Sequence, residues 1–116
     1  MSLDSADMAK KAVEAALEKQ AADILMLDIR PVSYYADFLV ICSADSERQI
    51  HAISDAVEEA LGKAGVKRHH REGGEDSGWV VLDFGELVVH VFSAPEREYY
   101  DLEKLWGDAS PVVRIL

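Results

Sequence analysis

His90 and Asp83 come nearest, among the side chains of this chain, to the types and spacing that acid–base chemistry needs. They stand on either side of Gly85-Glu86, between the runs Trp79-Val80-Val81-Leu82-Asp83-Phe84 and Leu87-Val88-Val89-His90-Val91-Phe92. A hairpin turning at that dipeptide sets Asp83 diagonally across from His90, within reach of long side chains, and a carboxylate that orients an imidazole makes a general base. No Ser, Cys or Lys nucleophile stands beside the pair, so the pattern stops short of a nucleophilic site. His69 and His70 adjoin on what reads as a strand and so point to opposite faces, which keeps them from sharing one ion. His51 follows Ile50 on a helix and reads as solvated. Cys42 is the sole cysteine. It cannot form an intramolecular disulfide or a paired-thiolate zinc site, and it reads as a small buried hydrophobe. Asp83-Phe84-Gly85 spells the metal-binding tripeptide of protein kinases, but neither a Gly-rich loop nor a catalytic loop accompanies it. Gly73-Gly74 lacks the strand-then-helix context of a phosphate loop. The residues therefore predict no catalytic residue, no metal and no cofactor, with a small-molecule enzyme using Asp83 and His90 as the competing reading.

The hairpin that positions these groups has a legible register. Gly at the first central position suits a two-residue type II′ connection. Phe84 then pairs with Leu87, Asp83 with Val88, Leu82 with Val89, Val81 with His90, Val80 with Val91 and Trp79 with Phe92. Because side chains alternate along a strand, one face carries Val80, Leu82, Phe84, Leu87, Val89 and Val91, and is wholly apolar. The other carries Trp79, Val81, Asp83, Val88, His90 and Phe92. Large aromatics mixed with a few polar groups are the composition of a partner site. The same pattern also fits a sheet covered on both faces, with Asp83 and His90 satisfying each other or the backbone. Pattern alone does not choose.

Composition narrows the classes. A chain of 116 residues reads as one domain over 1–116, large enough to bury a core without staples. A single cysteine and the absence of a signal or transit pattern point to a reducing, cytoplasmic setting, and no apolar run is long enough to span a membrane. Twenty-two acidic against twelve basic side chains give a formal net charge of −10. Such a chain repels phosphate backbones and attracts basic proteins, so no direct nucleic-acid binding is expected.

The remaining elements follow from periodicity and caps. Asp4 to Ala22 predicts a helix with the stripe Met8, Ala12, Ala15, Ala16 and Lys19, weakly apolar and loosely packed. Ile24 to Ile29 predicts a strand ended by Arg30-Pro31, followed by a loop through Ser33-Tyr34-Tyr35. Asp37 to Cys42 predicts a strand covered on both sides. Ser46 and Gln49 form a capping box for a helix whose stripe is Ile50, Ile53, Val57, Ala60, Leu61 and Ala64, with Gly65 as its stop. Val66 to Arg71 predicts a polar edge strand. After the hairpin, Ser93 and Glu96 form a second capping box, with Pro95 in the first turn. That helix is predicted to run to about Trp106, with Tyr99, Leu102 and Trp106 on one face and Arg97 paired to Asp101. Val112 to Leu116 is apolar and suits an extra strand or an interface.

Five pieces in this order, Asp37-Phe38-Leu39-Val40-Ile41, Ser46-x-Arg48-Gln49-Ile50-x-Ala52, Trp79-Val80-Val81-Leu82-Asp83-Phe84-Gly85, Val89-His90-Val91-Phe92 and Arg97-x-x-Tyr100-x-Leu102-Glu103-x-Leu105-Trp106, closely resemble the ribosomal silencing factor (RsfS, Iojap) family over about residues 8 to 109. The resemblance implies an α/β domain with a mixed five-stranded sheet flanked by helices, similar to the nucleotidyltransferase fold. It implies no transfer activity. Those enzymes need a Gly-Ser motif and spaced carboxylates, whereas Asp37 is followed by Phe38-Leu39. Members of the family bind the large ribosomal subunit through its ribosomal protein fourteen, block joining of the small subunit, and so quieten translation when nutrients are short; some assist large-subunit assembly. Carried over residue by residue, the contact falls on Trp79, Asp83, His90, Phe92, Arg97, Tyr100, Leu105 and Trp106. Homodimers are compatible with the family, and a pure dimerisation module using the same hairpin face is the other alternative.

Overall fold

The computed structural model describes residues 3–116, leaving aside the side chain of Glu75. In chain order the elements are α1 (Ser5–Glu18), β1 (Ala22–Asp28), β2 (Phe38–Ala44), α2 (Glu47–Lys63), β3 (His70–Glu72), a 3-10 turn (Glu75–Ser77), β4 (Trp79–Asp83), β5 (Leu87–Ser93), α3 (Ala94–Tyr100), α4 (Leu102–Leu105) and β6 (Ser110–Ile115). The strands form one sheet in the order β3-β4-β5-β2-β1-β6. Only β2 and β5 run parallel; the other neighbours are antiparallel. A parallel pair needs a crossover, which α2, β3 and β4 supply.

The sheet has six strands where five were expected. The sixth is the C-terminal segment, which pairs Ser110 to Asp28 and Ile115 to Ile24 along β1. It is an exposed edge opening with Ser110-Pro111, so burial periodicity, the strongest strand signal, is weak in it.

Two cores lie on opposite faces of the sheet. Ile24, Met26, Val40, Cys42, Val80, Leu82, Leu87, Val89 and Val91 meet Met8, Ala12, Ala16 of α1 and Ile50, Ile53, Val57, Leu61 of α2. Leu25, Leu27, Leu39, Ile41, Val88 and Phe92 face the other way, against Ile29, Ala36 and Ala109, with Trp79, Val81, Leu102 and Trp106 packed around them. All seven residues of β2 are buried, as a strand covered on both sides requires.

α1 departs from expectation in length and in packing. It starts after Asp4, whose carboxylate accepts from Asp7 N at 2.8 Å, and ends before Gln20 turns to φ 62°. Lys19 caps it and is exposed. Ala9, Ala12 and Ala16 are fully buried, so the small side chains bring the helix close to its neighbours rather than leaving it loose.

Each capping box is half closed. Ser46 Oγ accepts from Gln49 N at 3.1 Å, but Gln49 turns its amide to Asp45 N and to the carbonyls of Lys19 and Gln20, tying the start of α2 to the end of α1. Ser93 Oγ accepts from Glu96 N, while Ser93 N donates to Gly78 O. Val66–His69 also fall outside the ladder, which keeps only His70–Glu72 as the edge strand β3.

The helix expected to run to Trp106 breaks at Asp101, which adopts φ 47°. A left-handed residue redirects the axis, since a right-handed helix cannot pass through it. Leu102 and Trp106 then pack on the second core, while Tyr99, expected on the same face, is left exposed.

Candidate functional site

The hairpin register is the one read from the sequence. Trp79 opposes Phe92, Val80 Val91, Val81 His90, Leu82 Val89 and Asp83 Val88, and Phe84 N donates to Leu87 O at 2.8 Å. Gly85 sits at φ 86°, where the missing Cβ matters, and Glu86 N turns back to Phe84 O at 3.2 Å. That contact closes the turn more tightly than a type II′ loop, in the manner of a γ-turn.

On the second face of β4 and β5 the side chains assemble into an aromatic stack. Trp79 lies over Phe92 with centroids 5.0 Å apart and planes 21° from parallel. Tyr100, from the last turn of α3, meets Trp79 at 4.5 Å, and His90 stacks on Phe92 at 6.1 Å. The α3 start positions Tyr100, because Ser93 caps the helix directly at the end of β5. Phe92 is fully buried beneath this stack, Trp79 is half-buried and Tyr100 is exposed. Beyond them the surface continues through Trp106 and Leu105, the latter 73% exposed.

Asp83 and His90 do not serve each other. Asp83 Oδ1 accepts from Gly85 N at 2.7 Å and so closes the hairpin turn. His90 Nδ1 accepts from the indole Nε1 of Trp79 at 3.1 Å. The ring hydrogen must then sit on Nε2. Burial lowers the His90 pKa to about 4, so the imidazole is neutral at ordinary pH. A neutral imidazole whose basic nitrogen is occupied by an indole is an element of packing, poorly placed to take a proton from a substrate.

Arg97 is a fold-organising residue. It is 6% exposed, and its Nη1 donates to Ser43 Oγ at 3.0 Å and to the carbonyl of Asp23. Its Nε lies 3.4 Å from Glu103, not against the expected Asp101, because the break at Asp101 swings Glu103 into place. Nη2 approaches Asp23 Oδ2 at 3.6 Å. Arg97 thus ties α3 and α4 to the ends of β1 and β2.

Of the eight residues carried over to a contact surface, Trp79, Tyr100, Leu105 and Trp106 have accessible area on the second face. Phe92 and His90 support Trp79 and Tyr100 from beneath, Arg97 is buried against Ser43, Asp23 and Glu103, and Asp83 shapes the hairpin turn. Tyr34 and Tyr35, read only as a loop, add exposed aromatic area. Their adjacency after Pro31 was the available signal. The Tyr35 phenol has its pKa raised by burial and further by the charges of Asp83 and Glu72. Among the described residues no cluster of three metal-ligating side chains occurs and no helix is long and apolar enough to cross a membrane.

Comparison with known proteins meets this geometry. The profile of the family described as "Ribosomal silencing factor during starvation" matches residues 2–115. The chain is 43% identical over 100 residues to the ribosomal silencing factor RsfS of Bacillus subtilis, covering 86% of this chain and 85% of that one. It is 35% identical over 99 residues to the chloroplastic protein Iojap of Zea mays, of which it spans 43%. A crystal structure of a Chromobacterium violaceum protein superposes with a TM-score of 0.87 at 35% identity, covering 90% of this chain and 88% of the other. Match length, identity and fold agree: this chain belongs to the ribosomal silencing factor RsfS family.

Proposed function

We propose that this protein binds the large ribosomal subunit through its ribosomal protein fourteen and blocks joining of the small subunit by occupying the joining face, so repressing translation when nutrients are limiting. A role in large-subunit assembly is compatible with the same contact. The observation that carries the reading is the aromatic surface of Trp79 and Tyr100, continued by Leu105 and Trp106, on a face where Asp83 and His90 are spent on the turn and on the Trp79 indole. Interfaces concentrate their energy in a few such anchors. The mechanism is steric, so affinity and placement matter and turnover does not. It operates in the cytoplasm, where the particle is.

The test is binding of the purified ribosomal protein to Trp79→Ala and Tyr100→Ala variants whose circular dichroism matches wild type. Truncating an anchor costs on the order of 2 kcal/mol, or about thirtyfold in affinity. Wild-type binding by both folded variants would exclude this surface.

The same exposed face would also serve a homodimer, with Leu105 as its most accessible apolar group. Titrating the ribosomal protein into a dimer and following mass by light scattering separates the two uses. Conversion to a one-to-one complex means the surfaces compete; an intact dimer in the complex means they do not.

A further inference from the structure

The cleft beside Trp79 has a chemistry that an aromatic surface alone does not specify. Glu72, Gly73, Ser77, Trp79, Val81 and Tyr100 line about 200 Å³. Small-molecule pockets begin at about 300 Å³, so this volume suits one inserted side chain. Its walls include the indole and phenol rings, 4.5 Å apart at their centroids, whose faces carry negative quadrupole density. At the rim Glu72 gives Oε1 to His70 Nε2 at 2.9 Å, and a carboxylate has a second oxygen for another donor. Asp83 shares the strand face of Trp79 and Val81, and its charge reaches the Tyr35 phenol together with that of Glu72. The neighbouring cation, Arg71, points to the other side of β3, where Nη1 meets Glu58 at 3.2 Å and Asp55 at 3.5 Å. The cleft is thus aromatic-walled and acid-rimmed, on a chain of net charge −10.

We infer that this cleft receives an arginine side chain of the protein partner, its guanidinium laid against Trp79 and Tyr100 and paired with Glu72. Arginine fits better than lysine because its planar head stacks on aromatic rings while forking onto a carboxylate. The acidic field of the whole chain steers such a partner toward the site. The assignment rests on the partner reading above and gives one part of that surface its specificity.

Two arms test it separately. In the first, isotope-labelled protein is titrated with N-acetyl-arginine amide, with its neutral isostere N-acetyl-citrulline amide and with N-acetyl-lysine amide, reading the Trp79 indole N–H resonance. The arginine amide should move that resonance saturably, the citrulline amide should not, and Glu72→Gln should weaken the arginine response about tenfold. No shift, an equal shift with citrulline or lysine, or an unchanged response in Glu72→Gln overturns the assignment. In the second, Glu72→Gln should bind purified ribosomal protein fourteen about tenfold more weakly, with a shallower salt dependence. If Trp79→Ala loses that protein while Glu72→Gln binds it like wild type, the arginine assignment falls and the partner reading stands. If wild type fails to bind it while the arginine amide still docks, the partner reading falls and the cleft keeps its assignment.

Discussion

Trp79 donates its indole N–H to Nδ1 of His90 at 3.1 Å, across the diagonal of the β4–β5 hairpin. The bond fixes the indole that carries the proposed contact and consumes the imidazole nitrogen that a catalytic reading would need. It also couples this surface to pH.

Protonating His90 would set an N–H against the Trp79 N–H, and burial already holds the pKa down to about 4. The unfolded value is about 6.5, so the contribution is fully present above that pH and is lost as pH falls from about 6.5 toward 4. At pH 5 the loss amounts to about 2 kcal/mol. Urea unfolding at pH 7.5 and pH 5 should show wild type losing about that much more than His90→Gln, which keeps an acceptor without titrating in this range. Equal losses would mean that His90 does not bind its proton as described.

Arg97→Ala should destabilise the fold by about 2–3 kcal/mol, since it strips hydrogen-bond donors from Ser43 and the Asp23 carbonyl and leaves Glu103 without its cation, while the Asp23 carboxylate keeps Arg114. Both carboxylates are part-exposed, which keeps the loss below that of a fully buried pair. Arg97→Lys should recover little of it, because an ammonium cannot reach these acceptors in a fork. An unfolding midpoint within experimental error of wild type for Arg97→Ala would return this residue to the surface.

Gly73→Ala should be among the most damaging small substitutions. Gly73 sits at φ 84°, and a Cβ there would come 2.1 Å from the carbonyl oxygen of Trp79, a backbone atom with no rotamer to yield. The loop that leads into β4 must move, at a cost of about 2 kcal/mol or more. The Trp79 indole resonance reports the accompanying shift; a variant that keeps both that resonance and its melting temperature would refute the close approach.

Cys42 should resist thiol reagents in the native protein. It is fully buried in β2, and burial pushes the thiol pKa up to about 12, so almost no thiolate exists at pH 8. Labelling should proceed at the rate of opening and accelerate in denaturant. Rapid stoichiometric labelling without denaturant would contradict the placement of β2.

The hairpin was legible in the sequence because a period of two and a turn glycine fix every pairing once either is known. The residues of the proposed contact surface were legible as a face, yet their roles were not. Whether Phe92 and Arg97 lie above or below that face depends on what crosses it, and the crossing segments are loops and a broken helix. Asp101 shows the limit clearly: a polar residue at an ordinary helical position gives no hint of φ 47°. From sequence Asp83 and His90 read as a pair because both are polar on one face. Nearer partners, Gly85 N and the Trp79 indole, took their hydrogen bonds instead. β6 carries the weakest strand signal, since an exposed edge buries too little to show a pattern.

The proposed function requires that the Trp79–Tyr100 surface stop ribosomal subunits from joining. Isolated small and large subunits, mixed with the protein and resolved by sucrose-gradient sedimentation, measure this directly. Wild type should co-sediment with the large subunit and deplete the joined particle, while folded Trp79→Ala does neither. Normal joining at saturating wild-type protein, or equal inhibition by Trp79→Ala, would contradict the account.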